Sequence, residues 1–224
     1  MKTLLLSLLP ILGWLGVASG TVASREQPPK AAHHNPVLLI HGIFDHGRTM
    51  EPMARYLRAR GWEAHTMDLS PNDGRAGLEV LAAQIGAEVD RLFPRGRHFD
   101  LVGFSMGGVV SRYYLQRLGG RGRVHHFVSL SAPHHGTLWA GMASGAGCKQ
   151  LRSGSPFLRD LNSDSFGLAG VRVTSLWTPF DLMILPESSS RLRGAHNETL
   201  PILVHPLMIT QESACARVAA ALSE

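Results

Sequence analysis

Gly103-Phe104-Ser105-Met106-Gly107 has the spacing G-x-S-x-G, and Gly108 follows it. A serine held in a sharp turn between glycines can expose its hydroxyl as an acyl-accepting nucleophile. Glycines two residues to either side let neighbouring backbones pass closely. The five-residue pattern alone is weak, because Gly-rich chains produce it by chance. Its setting is stronger: the apolar run His98–Phe104 leads in, and a helical pattern over Met106–Leu118 leads out. That context argues against a Gly-rich turn carrying an ordinary capping serine.

Attack by a serine on a carbonyl carbon needs a base, a carboxylate to orient that base, and N–H donors for the developing oxyanion. The amide of Met106 is one expected donor. The other is expected at Ile43, in the loop His41-Gly42-Ile43-Phe44, with Phe44 as the alternative. His41 is expected to order that loop by hydrogen bonding and not to move protons. The chain has twelve histidines, so position must select the base. His205 follows the apolar run Leu200–Val204, read as the last strand, and precedes Pro206. His196 lies before that run, at the opposite end of the sheet, and His134 and His135 precede every good acid. Asp181 follows the strand candidate Val171–Trp177 and is the expected acid, with Glu187 as the alternative. Ser105, Asp181 and His205 then stand in the order serine, acid, histidine.

Such a set needs a sheet edge to hold it. Strand candidates at Pro36–Ile40, Trp62–Leu69, His98–Phe104 and Val124–Ser131 alternate with helices at Met50–Arg60, Leu78–Leu92 and Met106–Leu118. Leu78, Leu81, Ile85, Val89 and Leu92 recur at helical spacing. The alternation predicts an α/β fold: a mostly parallel central sheet, helices on both faces, and the site at the strand C-termini. A closing helix is expected near Ser213–Leu222. Pro133–Gly170 is rich in Gly and Ser, with one short helical piece around Pro156–Leu161. A segment this long is expected to border the site, with a small lid or none. Phe44, Leu182 and Met183 are expected to hold substrate, and Met106, Phe157 and Phe166 are further apolar candidates. Ordinary core packing competes for each.

With 224 residues, 44% hydrophobic and 17% charged, the chain can bury one sizeable core, which excludes a disordered protein. Its net charge of +5 rests mostly on arginines grouped as Arg91/Arg95/Arg97 and Arg117/Arg121/Arg123. Both groups fall at ends of helical patterns, where cations suit the dipole; no nucleic-acid partner is expected. Lys2 followed by the apolar run Leu4–Val17 and the small residues Ala18, Ser19 and Gly20 reads as a signal peptide over residues 1–20. That run is shorter than the roughly 18 apolar residues a membrane span requires. Residues 21–35 read as a linker and 36–224 as the folded domain, so a secreted or periplasmic location is expected. Cys148 and Cys215 lie in no metal-ligand spacing, and whether they pair is open.

Several blocks resemble the small secreted bacterial triacylglycerol lipases, the lipase class 2 group of the α/β-hydrolase superfamily. They are Val37–Gly42, Asp100–Gly108, Arg112–Leu115, Leu130–Thr137 and Gly154–Asn162. The resemblance implies an α/β-hydrolase core, backbone oxyanion donors at Ile43 and Met106, and acid and base at Asp181 and His205. It implies no cofactor, and no metal is expected. The expected substrate is a carboxylic ester of a lipid, of triacylglycerol type, met at a lipid–water interface by a monomer. A short-chain carboxylesterase and an acyltransferase or lipid-remodelling hydrolase would use the same triad. A non-catalytic lipid-binding protein would keep the cleft without it.

Overall fold

Four consecutive apolar side chains, all fully buried, make Val37–Ile40 (β1) a strand covered on both faces. It is the second strand of a six-stranded sheet in a computed structural model that describes residues 34–164 and 167–224. The expected signal peptide, the linker up to residue 33 and Phe166 lie outside the described residues. The other strands are β2 (Ala64–Met67), β3 (Phe99–Phe104), β4 (Val124–Leu130), β5 (Arg172–Trp177) and β6 (His196–Thr199). Their order is β2-β1-β3-β4-β5-β6 and every pairing is parallel, as the alternation of elements predicts.

Parallel strands require crossovers, supplied between β1 and β4 by the helices α1 (Glu51–Arg58), α2 (Leu78–Leu92) and α3 (Met106–Arg117); α6 (Glu212–Ala221) follows the last strand and closes the chain. Alternate residues of each strand feed separate cores. Leu38, Ile40, Leu101 and Phe127 pack with α2 and α3 residues such as Leu81, Ile85 and Val110. Val37, Leu39, Val102 and Val128 pack on the other face with Met53 and Leu57 of α1 and Val218 of α6. Between β4 and β5 the chain forms α4 (Ala146–Gln150) and α5 (Pro156–Ser163), preceded by a 3-10 turn over Leu138–Met142. Only α5 had a visible sequence signal.

The last strand differs from the expectation. It is the polar segment His196–Thr199, not the apolar run Leu200–Val204. β6 is an edge strand with solvated side chains, so its pattern carries no apolar signature. Pro201 cannot donate to a ladder, and the apolar run instead sends Leu200 and Ile202 into the core beside α1 and α6. Both cysteines are free and buried, Cys148 in α4 and Cys215 in α6. The arginine groups are largely engaged on the surface: Arg91 with Glu88, Arg97 with Glu63, Arg117 with Asp160 and Asp164, and Arg123 with Asp90.

The sheet order reverses between β1 and β3, and the crevice there is where ligands bind in open α/β sheets. The chain closes it tightly. A Cβ on Gly107 would stand 2.4 Å from the His41 carbonyl oxygen and 2.7 Å from that of Ile40. A Cβ on Gly103 would stand 2.7 Å from Gly108 Cα. Backbone on both sides leaves no room to yield. Gly107→Ala should therefore lower stability by about 1–3 kcal/mol through overpacking, read as a drop in Tm. An unchanged Tm would show that β1 and α3 can separate freely.

Candidate active site

Ser105 occupies the turn between β3 and α3 with φ 52° and ψ −124°, a strained backbone for a residue other than glycine. Its amide donates to the Leu130 carbonyl (2.8 Å), and its own carbonyl accepts from Gly108 (3.0 Å), so the turn is pinned on both sides. Met106 follows as the first residue of α3, where the helix dipole favours negative charge. Across the crevice, Phe44 has φ 61° and its amide donates to the Asn72 carbonyl at 2.7 Å. That bond commits the Phe44 amide, and Ile43 lines the same cavities as Ser105.

His41 is fully buried beneath this loop. Its Nδ1 lies 2.7 Å from the Gly42 carbonyl, and its Nε2 accepts from the Leu69 amide at 2.8 Å. Those partners assign a neutral ring protonated on Nδ1. Burial pushes its pKa down, against a smaller upward pull from the Gly42 carbonyl. The ring therefore braces the loop against the segment after β2.

Asp181 and His205 come together beside the cleft that Ser105 lines. Asp181 Oδ2 lies 2.7 Å from His205 Nδ1, and both residues are buried. Asp181 Oδ1 accepts from the amides of Met183 and Ile184, each at 2.9 Å. Burial alone would raise the Asp181 carboxyl, but the His205 hydrogen bond, the imidazole charge and the two amides outweigh it and lower the pKa. A lowered carboxyl contributes stability above its ordinary value and loses it as pH falls through the lowered one. The His205 ring also packs on Phe104, with centroids 4.6 Å apart. Among the described residues no hydrogen bond joins Ser105 Oγ to His205, although both line one cleft. In free enzymes such bonds are often long and tighten with substrate.

His196 is exposed at the start of β6, 3.5 Å from Glu198, on the sheet edge opposite Ser105. Glu187 opens a 3-10 turn beyond the Asp181 loop. Sequence reasoning missed the residues that hold this loop in place. Thr178 Oγ1 donates to the Ile202 carbonyl and ties the loop of Asp181 to that of His205. Thr137 Oγ1 donates to the Met183 carbonyl (2.9 Å) and accepts from the Leu185 amide (3.0 Å). Trp139 Nε1 donates to the Leu182 carbonyl at 2.6 Å. Thr137 ends the block Leu130–Thr137, so it was in view; Thr178 and Trp139 had no signal.

Two cavities meet at Ser105. One, of about 280 Å³, is lined by Ile43, Met106, Trp139, Ala140, Met142 and Leu151 among others. The other, of about 480 Å³, is lined by Asp45, Arg48, Thr49, His205, Pro206 and Thr210 among others. Of the residues expected to hold substrate, Phe44 and Met183 line both cavities, whereas Leu182 lines neither and contributes its carbonyl to Trp139. Phe157 stacks on Tyr113 at 5.2 Å, away from the cleft.

This fold, with a serine at the strained turn and a buried Asp–His pair facing it, defines an α/β-hydrolase. The chain belongs to the palmitoyl protein thioesterase family, whose model matches residues 36–169. It is 30% identical over 116 residues to lysosomal thioesterase PPT2 of Homo sapiens, and to that of Bos taurus. The human match covers 48% of this chain and 37% of the relative, so the chain spans well under half of the length of these relatives. Among solved structures, Aspergillus fumigatus lipase B superposes with a TM-score of 0.74 and 19% identity, over 85% of this chain and 53% of that one. Mature Bacillus licheniformis lipase BlEst2 gives 0.70 and 19%, over 88% and 94%. These likenesses concern the fold. The α/β-hydrolase core is thus as the resemblance implies, and the family model over the same blocks is that of the palmitoyl protein thioesterases. Its match ends before Asp181 and His205, whose pairing rests on the geometry above.

Ser105→Ala and His205→Ala should each abolish hydrolysis of a chromogenic acyl ester while folding normally. Asp181→Asn should lose on the order of 10⁴-fold in kcat, by analogy with the same change in a serine protease. Glu187→Gln and His196→Ala should keep wild-type rates; a collapse in either would reassign the acid or the base.

Proposed function

We propose that the protein hydrolyses fatty-acyl thioesters through a covalent acyl-enzyme on Ser105, with His205 as base and Asp181 as its orienting carboxylate. The observation that carries this reading is the division of the cleft at Ser105. The smaller cavity is apolar and sits beside the Ile43 and Met106 amides, which suits an acyl chain. The larger one contains His205, where a leaving group must be to receive a proton. Membership of the palmitoyl protein thioesterase family supports the thioester.

Ser105 Oγ attacks the carbonyl carbon as His205 Nε2 takes its proton, and the amides of Ile43 and Met106 hold the oxyanion. Collapse breaks the C–S bond, and the proton passes from His205 to the departing sulfur. His205 then removes a proton from water, which attacks the acyl carbon; the C–Oγ bond breaks, His205 returns the proton to Ser105 and the fatty acid leaves. A thiol has a pKa of about 8.5, so a thiolate leaves with less help than an alkoxide. The Asp–His pair is therefore needed chiefly to activate Ser105 and the water.

A carboxylic ester of triacylglycerol type is the second reading, because the same groups can expel an alcohol. It is favoured by exposed apolar residues that line the cleft: Phe44 is 71% exposed, Met142 79% and Met183 45%. Such a lining suits contact with a lipid–water interface. Export by residues 1–20 and action as a monomer belong to the same proposal.

The test compares kcat/KM for thioesters and oxygen esters from short to long acyl chains. Long-chain thioesters should be turned over fastest, and Ala140→Trp, which fills the smaller cavity, should lower the long-to-short ratio by about tenfold or more. A preference for long-chain oxygen esters would select the second reading. Turnover confined to short chains, or unchanged by Ala140→Trp, would remove the acyl-chain role of that cavity.

A further inference from the structure

Neighbouring residues on a regular strand point to opposite faces of the sheet. His125 and His126, at the start of β4, nevertheless reach the same carboxylate. The pairing of β3 with β4 shifts register there: Phe99 faces Val124, but Leu101 faces Phe127. One residue of β3, Asp100, thus stands opposite two of β4. This is a β-bulge, a device that re-aims side chains. Its result is that Asp100, His125 and His126 each offer one ligand atom, all within 4.8 Å of one another.

We infer that this bulge is a binding site for a divalent transition cation of the zinc type, with His125, His126 and Asp100 as its protein ligands. Two imidazoles and a carboxylate are a suitable donor set for such an ion. His126 Nδ1 lies 3.2 Å from Asp100 Oδ1, close to the separation of about 3.3 Å between two ligands on a tetrahedral zinc. Neither ring is committed elsewhere among the described residues. His125 forms no hydrogen bond and is exposed, and His126 Nε2 is buried without a partner. Asp100 is itself almost wholly buried and oriented by the His126 amide at 2.9 Å and by Asn35 Nδ2 at 3.3 Å. The nearby cation Arg172, opposite His126 in β5, is engaged with the carbonyl of Glu224.

The site lies at the N-terminal edge of the sheet, five residues along β3 from Ser105, or about 17 Å. It therefore takes no part in the serine chemistry and clamps β3 to β4 from behind. Exposed His125 can complete the shell by a side-chain adjustment, with water in the remaining position. The site stands apart from the proposed hydrolysis, since the bulge and its ligands do not depend on the substrate.

The experiment is equilibrium dialysis and thermal melting of the tag-free protein with zinc chloride. The wild type should bind one Zn²⁺ and melt about 5 °C or more higher when the ion is well above its Kd. His125→Ala, which removes an exposed side chain, should weaken binding about tenfold or more and abolish the shift. His46→Ala, an exposed histidine on the opposite edge, should change neither. Equal binding by His125→Ala and wild type, or no thermal shift with zinc, would overturn the inference. Retained Ser105-dependent turnover in His125→Ala keeps this result separate from the hydrolase reading.

Discussion

Ser105 has a backbone conformation that a residue with a side chain rarely adopts, and the rest of the site depends on its being held there. The strain is sustained from three directions. β3 enters from the middle of the sheet, α3 leaves against buried apolar residues of α2, and the end of β1 closes over Gly107 at a distance that admits no side chain. The same approach brings the His41–Phe44 loop opposite the first turn of α3. Ser105 and the His41–Phe44 loop are thus fixed by one packing contact. Relaxing it would move both.

The other half of the site is built on loops, and hydrogen bonds replace packing there. Asp181 is clamped by two amides of its own loop and by His205. The loop is clamped in turn by Thr137, Trp139 and Thr178. These ties explain how a carboxylate beyond β5 and an imidazole six residues beyond the edge strand β6 keep a 2.7 Å contact. They also join the Asp181 loop to the segment that lines the smaller cavity, so its walls and the Asp181–His205 pair share a support.

The parts legible in the sequence are those set by short-range rules. The glycines around Ser105, the helical spacing from Leu78 to Leu92 and the buried run of β1 each state their structure locally. Asp181 follows β5 as expected, whereas the strand expected before His205 does not form, so chain order and the 2.7 Å contact with Asp181 are what support that histidine. The last strand was not legible, since edge position leaves β6 polar while Leu200 and Ile202 are apolar for core packing. The cavity walls at Trp139, Ala140 and Met142 come from a segment positioned by contacts distant in sequence. The same limit hid the bulge at Asp100, because a register shift between two strands leaves no mark in either strand alone.

The proposed hydrolysis requires Ser105 Oγ to act as an activated covalent nucleophile. Intact-mass spectrometry after treatment with a long-chain alkyl fluorophosphonate tests it directly. One adduct per chain, mapping to the peptide of Ser105 and lost in His205→Ala, is the expected result. A folded protein that stays unlabelled, or that is labelled at another residue, would contradict it.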